Sequence, residues 1–103
     1  MDEMNVTVKG NYLEYKGRPL VREANTICYG FMDDPYILMM TIMTNKPLKD
    51  KEVPDKVLIQ ILKTDKNLSF QDKIVKQDMK SGLSEAFDLG LIWLERFLAE
   101  RKG

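Results

Sequence analysis

No histidine occurs in the chain. That excludes Ser-His and Cys-His nucleophile pairs, a histidine general base and histidine metal ligands. The one cysteine, Cys28, cannot form an internal disulfide and, with no histidine beside it, cannot anchor a structural zinc. No cofactor or metal is expected. No apolar run approaches the ~18 residues of a membrane-spanning helix. The opening residues Met1-Asp-Glu-Met-Asn5 lack the apolar core of a secretory leader. Together with the lone thiol, this makes a reducing cytoplasm the expected location. Sixteen Lys and Arg balance sixteen Asp and Glu, so there is no net attraction to nucleic acid or anionic lipid. Repeats, low-complexity tracts and linkers are missing too, and 103 residues suit a single domain.

What is present is organised around the C-terminal stretch Ser81–Arg101. On a helical wheel, Leu83, Ala86, Phe87, Gly90, Leu91, Trp93, Leu94, Phe97 and Leu98 form one apolar stripe. Ser81 is the expected cap, with Gly82 easing entry and Glu85 suiting the positive end of the dipole. Gly90 costs about 1 kcal/mol in a helix interior. Its place on the stripe predicts that the helix comes close to what it packs on.

Upstream the pattern is that of strands. Val6 and Val8 alternate with polar residues. Tyr12–Tyr15 and Arg18–Arg22 flank Lys16-Gly17, a two-residue hairpin loop. Pro19 cannot donate to a ladder, so it belongs at solvent or an irregularity. Thr26–Phe31 is rich in strand formers, and Glu23–Asn25 reads as a break. Residues Tyr36–Thr44 are nearly all apolar, which predicts a central strand covered on both faces and paired with Lys56–Lys63. The stretch 45–55, with its charges and two prolines, reads as a solvated loop. Leu68–Lys80 reads as one helical turn near Ser69 followed by a strand, with Val75 and Met79 facing in. The fold expected is α+β: an antiparallel sheet of five or six strands, with one long C-terminal helix packed on one face.

Candidate sites are few. Asp33-Asp34 reads as a polar turn in preference to a carboxylate pair, because adjacent strand residues point to opposite faces. Cys28 has no histidine to activate it and reads as a structural thiol. Met39, Met40 and Met43 read as core filling before any adaptable groove. Lys9, Tyr12, Lys16, Arg18 and Arg22 cluster in the first third and form a candidate patch for single-stranded nucleic acid, against the plainer reading of cross-strand pairing. Gln60 and Asp88 are candidate polar members of a ligand pocket between sheet and helix. Leu89 and Ile92 lie off the main stripe and, with Trp93, are candidate interaction residues.

One helix cannot cover both faces of an apolar sheet. The leading expectation is therefore a non-enzymatic protein-interaction module acting as a homodimer. The alternatives are a small-molecule-binding domain or histidine-independent enzyme with a pocket between sheet and helix and, third, nucleic-acid binding through the 9–22 hairpin.

Overall fold

A computed structural model describes residues 6–9 and 12–102, with side chains described for residues 13–100. The strands are β1 (Val6–Lys9), β2 (Tyr12–Tyr15), β3 (Arg18–Glu23), β4 (Thr26–Tyr29), β5 (Tyr36–Ile42), β6 (Asn45–Leu48), β7 (Lys51–Pro54), β8 (Lys56–Lys63) and β9 (Ile74–Ser81). The helices are α1 (Phe70–Lys73) and α2 (Leu83–Lys102). The main sheet runs β1-β2-β3-β4-β5-β8-β9, all antiparallel, with β6 and β7 as a separate pair. This is the expected α+β arrangement of antiparallel sheet and long C-terminal helix, with seven strands in the main sheet.

The turns follow their residues. Lys16 (φ 52°) and Gly17 (φ 80°) both take positive φ, as the tight hairpin between Tyr15 and Arg18 requires. Ala24 (φ 55°) and Asn25 make the next two-residue turn, so the break anticipated there is a hairpin. Pro19 sits where the β3–β4 ladder stops, its carbonyl accepting from the Gly30 amide at 3.1 Å. Ser69 caps α1 by accepting from the Asp72 amide at 3.2 Å, and β9 follows directly.

Three local expectations are corrected. Residues 45–55 are not an unstructured loop: β6 and β7 pair from Asn45↔Pro54 to Leu48↔Lys51, around Lys49 at φ 57°. The pair stands apart from the main sheet, so burial imposes no alternation on its residues. Ser81 does not cap α2, because it ends β9 opposite Lys56. Gly82 (φ +91°) makes the turn instead, its carbonyl accepting from the Ala86 amide and its own amide donating to the Asp55 carbonyl. Met79 does not face in. Its side chain is 44% exposed, because β9 is an edge strand and α2 covers only the other face.

Helix and sheet meet through one face. Ile27 and Tyr29 of β4, Leu38, Met40 and Ile42 of β5, and Val57, Ile59 and Ile61 of β8 are buried against Ala86, Phe87, Leu91 and Leu94. Tyr15, Tyr29 and Phe87 stack with ring centroids 5.4–6.0 Å apart, and the Tyr29 hydroxyl donates to the Tyr15 carbonyl at 2.7 Å. At the far end Tyr36 packs on Phe97 at 5.0 Å.

Gly90 is where the helix comes closest. A Cβ there would lie 2.6 and 2.9 Å from the two Leu38 methyl carbons and 3.3 Å from Ile59 Cγ2. Leu38 is fully buried and has nowhere to retreat. Gly90→Ala would gain about 1 kcal/mol of helix propensity and lose ~1–3 kcal/mol to overpacking. We expect a net loss and a Tm roughly 5 °C lower, as ~1 kcal/mol implies for a domain this size. Gly90→Leu should fall further. An unchanged melt for either variant would show that the helix is not pressed against Leu38.

Candidate interaction surfaces

The face of the sheet away from α2 is open and oily at its centre. The register lays Val21, Cys28, Met39, Gln60 and Gln77 in one row across β3, β4, β5, β8 and β9. Thr26, Thr41, Leu58 and Met79 form the next row. Leu58, Met39 and Cys28 are half-buried by their strand neighbours, and Val21 and Met79 are exposed. The expected cover on both faces of β5 is therefore a cover on one face, with half-shielded residues on the other. Gln60 is buried, and its amide donates to the Gln77 side-chain oxygen at 2.9 Å. Its polarity is met within the sheet and needs no ligand. Asp88 lies exposed on α2, on the other side of the sheet. The candidate pocket pair is thus not brought together, because side chains alternate along β8 and Gln60 points away from the helix.

Among the residues whose side chains are described, the aromatic and basic residues of the first third do not form a common platform. Lys9 and Tyr12 lie outside the residues whose side chains are described. Lys16 sits over the Tyr15 ring at 5.5 Å. Arg18 pairs with Asp34, Nε to Oδ2 at 3.3 Å, and Arg22 Nε donates to the Ala24 carbonyl at 3.1 Å. The rings of Tyr15, Tyr29 and Tyr36 pack against α2 and are not free for stacking. Burial, outweighing the nearby Arg18, pushes the Tyr29 hydroxyl above its ordinary pKa.

The edge strand β9 is the longest exposed element. From Lys76 to Ser81 every residue is exposed. In an antiparallel sheet, alternate residues turn their N–H and C=O to opposite neighbours. Ile42 donates to Asn25, so the even residues of β5 bond β4 and the odd ones bond β8. The odd residues of β8 therefore face β9 through Lys76, Asp78 and Lys80. This leaves the main-chain groups of Gln77 and Met79 pointing outward. The Met79 amide accordingly donates to Asp78 Oδ1 at 2.7 Å instead of to β8. A bulge at Val75, between the partners of Ile61 and Leu62, ends the regular edge.

Two of the candidate interaction residues overlook this edge. Lys76 Nζ lies 4.8 Å above the Trp93 ring, which puts that flank of α2 over β9. Leu89 is one turn before Trp93 on the same flank, and both are partly buried against the core. Ile92 is 50% exposed near the helix crest. The trio is therefore a ridge graded from packed to bare. The sequence signal for the edge itself lay in β9: alternating charge with no cover for one face.

A third feature is a cavity of about 420 Å³ on the helix side, beside the first turn of α2. Leu20, Ile27 and Met40 floor it, Phe87 walls it, and Arg22 and Ser84 carry its polar atoms. A pocket between sheet and helix was the alternative expectation, placed at Gln60 and Asp88, but no sequence pattern pointed to these lining residues, because the room arises from how little of the sheet the helix covers.

Among the described residues no three His, Cys, Asp or Glu side chains converge as metal ligands, and no helix is long and apolar enough to cross a membrane. None of the protein-family models, curated proteins or solved structures compared with the chain is significantly similar to it.

Cys28 is free and half-buried on the open face, and burial, reinforced by the Glu23 charge, raises its pKa above the ordinary thiol value. At neutral pH it holds less thiolate than a free cysteine, and the thiolate is the reactive form. Alkylation by iodoacetamide at pH 7.5 should be slower in the native protein than in urea, and the native rate should keep rising above pH 9. A native rate matching that of free cysteine would contradict this environment.

Proposed function

We propose that the protein is a non-enzymatic protein-association module that acts as a homodimer, pairing β9 of one copy with β9 of another. One observation carries this reading: the free edge is complementary to itself. With the two-fold axis at Gln77, the outward main-chain groups of Gln77 meet their own copies. Lys76 then lies opposite Asp78 of the second copy, and Asp78 opposite its Lys76. Shifting the axis to Asp78 sets Asp78 against Asp78 and Lys76 against Lys80, which repel. Shifting it to Met79 restores Asp78–Lys80 pairs but runs the ladder into the Gly82 turn. Charge and the Gly82 turn together favour the first register, and the Leu89–Trp93 flank of α2 walls the seam on its helix side. A cytoplasmic setting belongs to the same reading, resting on the unpaired thiol of Cys28.

Opposite charges across strands are worth ~0.2–1 kcal/mol per pair, and like charges cost similar amounts. Reversing one residue changes two pairs of the symmetric seam, about 2 kcal/mol in all, or roughly thirtyfold in Kd. Light scattering after size exclusion at micromolar concentration should find a dimer. Asp78→Lys alone and Lys76→Asp alone should each shift it to monomer while keeping the native circular dichroism. Mixing the two variants should restore a dimer containing one of each, because every pair across the seam is then opposite in charge. A monomeric wild-type protein would end the association reading. A dimer indifferent to both reversals but dissolved by Val21→Lys would move the contact to the open face and end the edge-pairing reading.

A further inference from the structure

The cavity beside the first turn of α2 lies across the helix from β9 and has no part in the proposed seam. Its described lining is hydrocarbon from Leu20, Ile27, Met40 and Phe87, with a single charged group, the Arg22 guanidinium. Its volume of about 420 Å³ falls within the usual range for small-molecule sites. At roughly 30 Å³ per water-sized group, it takes on the order of a dozen non-hydrogen atoms.

We infer that this cavity binds a small amphipathic anion: a carboxylate or similar oxyanion on a medium-length acyl or aryl body. The body lies on Leu20, Ile27 and Met40 and against the Phe87 ring. The head meets Arg22 at the mouth. Arg22 Nε is held by the Ala24 carbonyl at 3.1 Å. That bond anchors the guanidinium at the rim and leaves its terminal nitrogens to fork onto an anion. The Ser84 hydroxyl lines the same cavity and supplies a further donor. No acidic side chain is among the described lining residues, so nothing there competes for the arginine or repels the head group. A neutral ligand would forgo the arginine, and a cation would oppose it.

Room for such a ligand follows from the mismatch between helix and sheet. The seven-stranded sheet spans roughly 29 Å at ~4.8 Å per strand, whereas a helix with its side chains covers about 10–12 Å. The Gly90 contact fixes α2 over β5 and β8, and Phe87 reaches toward Tyr15 and Tyr29. Beside that packing, Leu13 of β2 and Leu20 of β3 line the space next to the first turn of α2. Leu13 at the rim is 39% exposed.

The test titrates the full chain with decanoate at submillimolar concentration, read by amide chemical shifts. Decanol serves as the uncharged probe and decyltrimethylammonium as the cationic one. Decanoate should shift the amides of Leu20, Ile27 and Phe87 and leave those of β9 unmoved. Arg22→Gln should weaken decanoate binding tenfold or more without changing the affinity for decanol. Leu13→Trp, at a position exposed enough to keep the fold, should fill the cavity and abolish binding of both. Equal binding of decanoate to wild type and Arg22→Gln would overturn the anion site, as would decanol or the cation binding as tightly as decanoate. No shift around Phe87 would overturn the cavity as a binding site. The shifts read the same in monomer or dimer, so failure of the association leaves this result standing.

Discussion

The close approach at Gly90 decides what the rest of the molecule leaves uncovered. With no side chain at that position, the axis of α2 can settle onto Leu38 and Ile59, the centre of β5 and β8. A bulkier residue would lift the helix and loosen the packing of Leu94, Phe87 and Leu91 together, since interiors close-packed like crystals do not absorb an extra methylene. Once the helix is seated there, its width is spent. The sheet extends beyond it on both sides, toward β2–β4 and toward the β9 edge. Cavity and free edge are thus two consequences of a single contact.

The molecule manages its two uncovered flanks differently. An exposed edge strand is an aggregation hazard, and lysines are a common means of blunting one. Lys76 and Lys80 fit that pattern, and Asp78 adds to it by taking the Met79 amide into a local hydrogen bond. The same alternation of charge that repels the register centred on Asp78 favours the one in which Lys76 and Asp78 face each other. A strand can therefore be protected against indiscriminate pairing and still be selective for its own copy. On the other flank, short of the β1 edge, the helix side offers side-chain hydrocarbon beneath an arginine. Such a surface suits a small ligand better than a second sheet.

Much of this architecture was legible in the chain. The Lys16-Gly17 hairpin, the β5–β8 pairing, the Ser69 cap and the apolar stripe of α2 all rest on local rules: positive φ, alternation, capping and helical period. Gly90 was legible because a costly residue on an apolar stripe calls for a compensating contact. What escaped was set by tertiary context. The β6–β7 pair carries exposed residues and two prolines, with no buried face to impose a pattern. Gln60 was placed near a pocket because parity along β8 says which residues share a face, but not which face the helix takes. The cavity escaped for a deeper reason. Its lining comes from five separate elements, β2 to β5 and α2, and only the narrowness of the helix relative to the sheet leaves it unfilled.

The absence of histidine shapes how such a molecule behaves. Its candidate contacts are Lys–Asp pairs and an arginine, with no imidazole among them. Cys28 and Tyr29, the groups whose pKa values burial raises, take part in neither contact. Association and ligand binding would both respond to ionic strength, since exposed pairs are screened within about 8–10 Å. The two sites occupy opposite flanks of α2 and share no side chain. Substitutions in one should add to those in the other without coupling, as holds for sites separated by more than ~7–10 Å. Coupling would arise only if the helix moved as a body, and the Gly90 contact, buried at the centre of the sheet, is what resists that motion.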